Sequence, residues 1–215
     1  MIPRDYITAW RAEAPWVQDF QIEQDLIISR ALVEIFSNPT LAEALAFRGG
    51  TALYKLYVTP APRYSEDIDL VQVRAEPAAP MMSALREILD PWLGKPQGKQ
   101  AEGRVSFVYR VDSEDVPPMR LRLKLEINSR EHFSVFGFTN RSFSVDSRWF
   151  SGTAEIHSFE LDELPSGILG HGLKETRRIP RRQYRVSATS IPTIPKSVKN
   201  NWPLMTFFSH LLRAS

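Results

Sequence analysis

Cysteine is absent from the 215-residue sequence, and its absence excludes three kinds of chemistry. Without a thiol the chain forms no disulfide, holds no metal through thiolates and has no cysteine nucleophile. No segment approaches the ~18 consecutive apolar residues that a membrane-spanning helix requires. The first fifteen residues include Asp5 and Glu13 and lack the apolar stretch of a signal peptide. Together these features predict a cytoplasmic protein with no membrane partner.

Several familiar catalytic motifs are also missing. The four histidines, His132, His157, His171 and His210, show none of the short spacings that zinc ligands have. There is no G-x-S-x-G segment of a serine hydrolase and no Walker P-loop. The sequence therefore gives no support for zinc chemistry, serine hydrolysis or a P-loop nucleotide site.

Charge divides the chain into two parts. Residues 165–215 contain nine Lys or Arg and one Glu, a net charge of +8, whereas residues 1–164 contain 18 bases and 24 acids, a net charge of −6. Apolar residues make up 43% of the chain, enough to bury a core and to exclude wholesale disorder. We therefore predict a folded domain over residues 1–164 and a basic segment rich in Pro and Gly, disordered or divergent, over residues 165–215.

Hydrophobic periodicity predicts a mixture of helices and strands in the first part. Residues 21–36 and 81–93 have helical periodicity, and short helices are expected at 41–46 and 51–57. Strands are expected at 68–73, 105–111 and 141–145, with a polar loop at 94–103 and a helix opening near residue 158. The aromatic run Phe133–Phe138 favours a buried strand or hairpin over a surface that stacks bases.

The clearest pattern covers Arg120–Asn128. Leucine or isoleucine occupies every second position, and the intervening residues are Arg120, Arg122, Lys124, Glu126 and Asn128. Strict alternation of this kind predicts a strand with one face on the core and one polar face. Glu126 therefore lies on the polar face.

A glycine pair precedes the predicted helix at 51–57, in the segment RGGTALYKL. Glycine lets the backbone approach a ligand closely, and the free N–H groups of a helix N-terminus attract phosphate. A glycine pair alone is more often an ordinary turn. Its significance depends on what else lies near it.

Two carboxylates follow closely, in the segment SEDIDL. Asp67 and Asp69 are two residues apart on a predicted strand, so both side chains project from one face, ~6–7 Å apart. They repel each other unless a cation lies between them, and oxygen ligands of this sort suit Mg²⁺. A lone Asp-x-Asp can also be a solvated acidic strand edge. Combined with the glycine pair and with Glu126 as a third acid, it favours two-metal phosphoryl or nucleotidyl transfer.

The segments FRGGTALYKLY, RYSEDIDL and KLEIN resemble the AbiEii family of nucleotidyltransferase-like toxins, within the DNA polymerase β-like nucleotidyltransferase superfamily. The upstream stretch IEQDLIISRALVEIF is similar as well, and the resemblance covers roughly residues 1–164. It implies an α+β fold: a nucleotidyltransferase core with a small mixed β-sheet flanked by helices.

The resemblance also implies roles for individual residues. Gly49, Gly50 and Thr51 would cradle the nucleoside triphosphate (NTP), and Asp67 and Asp69 would bind Mg²⁺. Glu126 would be the third catalytic acid, acting as a metal ligand or as the base for the incoming hydroxyl. The nucleotide-binding segments also contain Lys55, Arg63 and Ser65.

The family further implies an acceptor and a partner. The expected reaction moves a nucleotide from NTP to a hydroxyl acceptor, RNA such as the tRNA 3′ end in some members. The expected context is a bacterial toxin–antitoxin or phage-defence system with a cognate antitoxin. A small-molecule acceptor, as in antibiotic-modifying nucleotidyltransferases, and a catalytically impaired nucleotide-binding remnant are the alternatives.

The remnant is an alternative because the sequence departs from the family pattern after Leu164. The family's later Lys-bearing helix has no clear counterpart, and its later acids are missing. A frameshift or a divergent end would explain the abrupt change. The arginine pairs at 177–178 and 181–182 would suit contact with an RNA backbone.

Overall fold

The computed structural model describes residues 2–58, 64–130, 132–161 and 163–164. The helices are α1 Arg4–Trp10, α2 Asp19–Ser37, α3 Pro39–Ala44, α4 Gly49–Leu56 and α5 Ala78–Leu93. The strands are β1 Leu45–Arg48, β2 Asp67–Gln72, β3 Gln97–Ala101, β4 Arg104–Asp112, β5 Arg120–Asn128, β6 Phe138–Asp146 and β7 Ser151–Phe159. Residues 165–215 lie outside the described residues, so the predicted domain boundary stays a prediction.

The seven strands form one mixed sheet in the order β3-β4-β5-β2-β1-β7-β6. β2 runs parallel to β5 and β1 runs parallel to β7, while the other neighbouring pairs are antiparallel. Parallel neighbours need connections longer than a hairpin, and here helices and further strands supply them. The α+β fold class with a mixed sheet is confirmed, and the sheet is larger than the sequence predicted.

Helix α2 is the main helical element packed against the sheet. Its apolar positions recur at helical spacing, and side chains such as Ile22, Leu26 and Ile35 are fully buried. A capping box formed by Gln18 and Gln21 satisfies N–H groups at its first turn. The next helix, α3, begins where the Asn38 side chain accepts a hydrogen bond from the Leu41 N–H, with Pro39 in its first turn.

Strand β5 has the predicted bounds and the predicted two faces. Leu121, Leu123, Leu125 and Ile127 are at most 4% exposed, and each contributes about 2 kcal/mol through burial of apolar surface. The alternate side chains are exposed or half-buried. Because the same alternation holds in β4, one face of this part of the sheet joins the core and the other is polar.

Three short segments differ from prediction. The helix predicted to continue to residue 46 ends at Ala44, and β1 follows as a strand of four residues. The predicted polar loop at 94–103 contains β3, an edge strand whose residues are all exposed and therefore show no apolar alternation. The helix predicted from residue 158 is wrong there, because Ser158 and Phe159 end strand β7. Ser158 Oγ donates to the Phe47 carbonyl of β1.

The aromatic run after β5 is not buried. Phe133, Val135 and Phe136 are 54–73% exposed in a loop whose N–H groups at 135 and 136 bond to the Glu163 carboxylate. The predicted buried strand is therefore wrong for this segment. Within the described ranges, no helix combines the length and apolar character that crossing a bilayer requires.

Candidate active site

The carboxylate pair lies where strands β2 and β5 run side by side. Parallel pairing places Asp67 opposite Lys124 and Asp69 opposite Glu126. Because side chains alternate along a strand, all four project from the polar face of the sheet. The structure thus brings together the two acids of Asp-x-Asp and the third acid, which come from segments nearly 60 residues apart in the sequence.

Gly49 connects this acidic cluster to the glycine turn. It opens α4 with φ = +82°, a left-handed conformation that favours glycine. A Cβ atom at this position would lie 2.5 Å from Asp69 Oδ2. The missing side chain therefore lets the backbone at the start of α4 rest directly against the Asp69 carboxylate.

An open cavity of about 420 Å³ lies at this glycine turn, and Asp67 is not among the residues that line it. It is lined by Gly49, Asp69 and Glu126, and three arginines also line it: Arg48, Arg104 and Arg130. Carboxylates on the sheet and guanidinium groups around the rim suit a ligand that combines a cation with phosphates. The helix N-terminus of α4 at the same cavity adds N–H groups that favour phosphate.

Burial and like charge act together on Asp69. Its removal from water raises the pKa of the carboxyl group, and the neighbouring Asp67 and Glu126 carboxylates raise it further. Lys124 and Arg48 oppose this shift without cancelling it. A bound divalent cation would remove the conflict, so the raised pKa fits a cation site beside Asp69.

Glu126 is already held by two cations. Its Oε1 lies 2.8 Å from Arg104 Nη2, and its Oε2 pairs with Lys124 Nζ, which is also 3.9 Å from Asp67 Oδ2. Among the described residues, no three acidic or histidine side chains are arranged to hold a metal ion. Magnesium commonly takes one or two carboxylates plus substrate phosphates, so Asp67 and Asp69 fit it as a pair.

Comparison with protein families identifies the domain. The model of the nucleotidyl transferase AbiEii toxin, type IV toxin–antitoxin system, matches residues 30–164, which is more than half of the chain. The chain belongs to the AbiEii family. The family match begins later than the resemblance seen in the sequence, which started near residue 1, and ends at the same residue. Comparison with curated proteins found no match.

Solved structures that this chain resembles include two crystal structures from Helicobacter pylori and one structure from Mycobacterium tuberculosis. A candidate nucleotidyltransferase from H. pylori is 15% identical with a TM-score of 0.47, covering 70% of this chain and 58% of that one. JHP933 from H. pylori is 15% identical with a TM-score of 0.45, covering 71% of this chain and 57% of that one. The nucleotidyltransferase toxin MenT4 from M. tuberculosis is 18% identical with a TM-score of 0.47, covering 73% of this chain and 55% of that one. The chain thus spans less than two thirds of each of these structures.

Three other residues predicted to bind nucleotide in this AbiEii domain, Gly50, Thr51 and Ser65, are not among the residues that line the cavity. Gly50 follows Gly49 in the first turn of α4. The Thr51 hydroxyl is fully buried and hydrogen-bonds the Asp67 carbonyl oxygen (2.6 Å) and Ser65 Oγ (2.7 Å). These bonds fix α4 against the start of β2. Thr51 and Ser65 therefore position the acid-bearing strand, and Arg63 lies outside the described residues.

Lys55 faces a different environment from the one predicted. Its ammonium group donates to Asp25 Oδ1 and Ser29 Oγ, both at 2.8 Å, and its side chain is 9% exposed. The indole N–H groups of Trp10 and Trp16 and the Tyr54 hydroxyl also donate to the Asp25 carboxylate. This buried network ties α4 to α2, and Lys55 is not among the residues lining the cavity.

The network makes a prediction for Lys55. Lys55→Met removes the charged partner of a buried carboxylate, so we expect the free energy of unfolding to fall by about 2 kcal/mol. The three remaining donors to Asp25 keep the loss at that level. Urea denaturation measures it. If Lys55→Met, at a temperature where it is folded, lost NTP affinity by calorimetry, Lys55 would bind nucleotide after all.

Sequence reasoning did not select the arginines that line the cavity. Arg48 had a local signal, since it directly precedes the glycine pair. In the structure it also pairs in register with Asp69. Arg104 and Arg130 had none. Arg130 reaches the site because the turn at Gly103, with φ = +74°, lets its side chain pass over it. Arg104 reaches the site through the antiparallel pairing of β4 with β5.

Proposed function

We propose that this protein transfers a nucleotide from NTP to a hydroxyl group on an acceptor, and that the acceptor is RNA. One observation carries the proposal: Gly49, Asp69 and Glu126, from three separate segments, line a single cavity that is also lined by arginines. Membership of the AbiEii family supports the same chemistry.

In the proposed reaction the acceptor hydroxyl oxygen attacks the α-phosphorus of NTP. A new P–O bond forms, the bond to the β-phosphate oxygen breaks, and pyrophosphate leaves. Glu126, held by Lys124 and Arg104, orients the hydroxyl and accepts its proton. The first turn of α4 and the guanidinium groups of Arg48 and Arg130 hold the triphosphate.

Asp67 and Asp69 are the residues that would hold Mg²⁺. When bound there, the ion supplies charge stabilisation to the triphosphate and lowers the pKa of the attacking hydroxyl. The chain's own contribution is to hold the two carboxylates two residues apart on one strand. Gly49 then brings the helix N-terminus against one of them.

We further propose a biological setting. The protein acts as the toxin of a bacterial toxin–antitoxin or phage-defence system, its acceptor is the tRNA 3′ end, and a cognate antitoxin opposes it. The family's description as a type IV toxin–antitoxin component supports this setting. An acceptor shared by all translation would explain why transfer is toxic.

Incubation of the full chain with each labelled NTP, Mg²⁺ and total tRNA tests the proposal. We expect label on tRNA, and the same label with Asp5→Asn, an exposed acid on α1 that pairs with Arg148 and does not line the cavity. Label on an aminoglycoside instead of RNA would favour the small-molecule acceptor. Nucleotide binding without transfer to either acceptor would favour the non-catalytic remnant.

A further inference from the structure

Two arginines stand opposite each other on the polar face of the sheet, next to the candidate active site. Arg110 on β4 pairs in register with Arg122 on β5, and both side chains are exposed. The same β5 face carries Lys124 and Glu126, two and four residues further along. Alternation therefore puts the arginine pair and the cavity on one continuous surface.

The placement of two arginines opposite each other does not stabilise the fold. Residues directly opposite on antiparallel strands have Cβ atoms about 5 Å apart, and like charges there are unfavourable. The next pair of opposite residues, Asp112 and Arg120, carries unlike charges and forms an ion pair with 2.8 Å between Oδ1 and Nη1. Among the described residues, no acidic side chain forms a salt bridge with Arg110 or Arg122. The two positive charges thus face solvent together, within a domain whose net charge is −6.

The position of the pair points to a polymeric anion. Glu126 lies four residues after Arg122 on β5, which is about 13 Å at the usual rise per residue. That length corresponds to about four stacked nucleotides of a strand. A strand with its terminal hydroxyl at Glu126 would carry its preceding phosphates past Lys124 to the two arginines.

The composition of the surface argues against a protein occupant. Protein interfaces usually have an apolar centre depleted of charge. The exposed large apolar side chains in the described part of the chain lie in other segments, and none belongs to β4 or β5. Guanidinium groups pair well with phosphate, in bidentate geometry.

We propose that the polar face of β4 and β5 binds the phosphate backbone of the acceptor strand, with Arg110 and Arg122 as its contacts. The inference rests on the proposed function for the direction of the strand, whose 3′ hydroxyl lies at Glu126. It assigns RNA binding to a face of the sheet in addition to the binding predicted for the basic residues beyond 164.

Fluorescence anisotropy with a labelled 20-nucleotide single-stranded RNA tests the proposal, using full-length chains at 50–200 mM KCl. Arg110→Ala with Arg122→Ala should weaken binding about tenfold at the lower salt concentration. The slope of log affinity against log salt should become shallower by about 1.4, since each phosphate contact contributes ~0.7 on a single strand. The melting temperature should not fall, because a repulsive pair is removed.

The matched control is Arg74→Ala with Arg148→Ala, which removes two exposed arginines that are each paired with an acid elsewhere on the domain. Its RNA affinity should stay within twofold of the unaltered chain. Equal affinity and slope in the two double variants would overturn the proposal. If Arg110→Ala with Arg122→Ala weakens RNA binding as expected but no acceptor is labelled, only the proposed function is contradicted. If RNA is labelled while both double variants bind RNA equally well, only the proposed RNA-binding face is contradicted.

Discussion

Asp69→Asn is expected to reduce nucleotidyl transfer by roughly 10³-fold, because it removes a carboxylate that would hold the metal ion and stabilise the triphosphate. The asparagine side chain has nearly the same size, so the cavity and the contact with Gly49 should be retained. Initial rates with labelled NTP and tRNA measure the effect. Transfer at the unaltered rate would remove Asp69 from the catalytic group.

The same substitution should raise the free energy of unfolding at neutral pH. The pKa of Asp69 is raised in the folded chain, so the folded state binds this proton more tightly than the unfolded state does. Stability from this group is present below the ordinary pKa of 3.8 and is lost as the pH rises through the raised value. Asparagine does not ionise, so the variant does not lose this stability as the pH rises. In urea denaturation its free energy of unfolding should therefore exceed that of the unaltered chain at pH 7, and the difference should disappear below about pH 3.8.

Mg²⁺ gives a readout that does not depend on turnover. A cation that binds only the folded chain raises its melting temperature, so Mg²⁺ should stabilise the unaltered chain and not the Asp69→Asn variant. Asp5→Asn is the matched control, since Asp5 is an exposed acid on α1 that pairs with Arg148 and does not line the cavity. It should keep both transfer and the Mg²⁺ response. An equal Mg²⁺ response in all three proteins would contradict a cation site at Asp69.

Gly49→Ala is expected to lower transfer by about 10²-fold and to destabilise the fold. A left-handed φ costs an L-residue roughly 1–2 kcal/mol, and a Cβ atom 2.5 Å from Asp69 Oδ2 forces either the carboxylate or the start of α4 to move. A displacement of about 1 Å in catalytic geometry is enough for a loss of this size. Transfer rates and urea denaturation measure the two effects.

Gly94→Ala separates the two causes. Gly94 has a similar φ of +79°, but nothing lies within 4 Å of the position its Cβ would take. Gly94 has ψ = −173°, a combination that residues other than glycine avoid, so this variant should lose about 1–3 kcal/mol of stability to backbone strain and keep its transfer activity. If Gly49→Ala and Gly94→Ala behaved alike, close contact between the glycine turn and Asp69 would play no part in function.

Local pattern was sufficient for the elements with a clear division between apolar and polar positions. Arg120–Asn128 alternates at every residue, and the strand has the predicted bounds. The three missed strands lack that signal for different reasons. Leu45–Arg48 is too short to show a period, and Gln97–Ala101 is exposed throughout. The pattern at 158–164 suits a helix, but in the structure Ser158 belongs to β7, which pairs with β1.

Lys55 and Arg104 show why a candidate site cannot be completed from motif spacing. Lys55 lies in the segment that resembles a nucleotide-binding turn, yet its ammonium group reaches back to Asp25 on α2. Arg104 lies in no recognisable motif, yet antiparallel pairing of β4 with β5 brings its guanidinium to Glu126. A helix or strand sets the direction of a side chain, whereas the partner it meets depends on packing between distant segments.

The sequence by itself determined that Asp67 and Asp69 share a face, that Glu126 lies on a polar face and that glycine opens the helix before them. These properties follow from the two-residue period of a strand and from the conformational freedom of glycine, both of which are local. Only the tertiary structure decided that Glu126 stands opposite Asp69, that Gly49 rests against that carboxylate and that arginines line the cavity. Those contacts depend on strand register between distant segments, which burial of the core sets and no local pattern encodes.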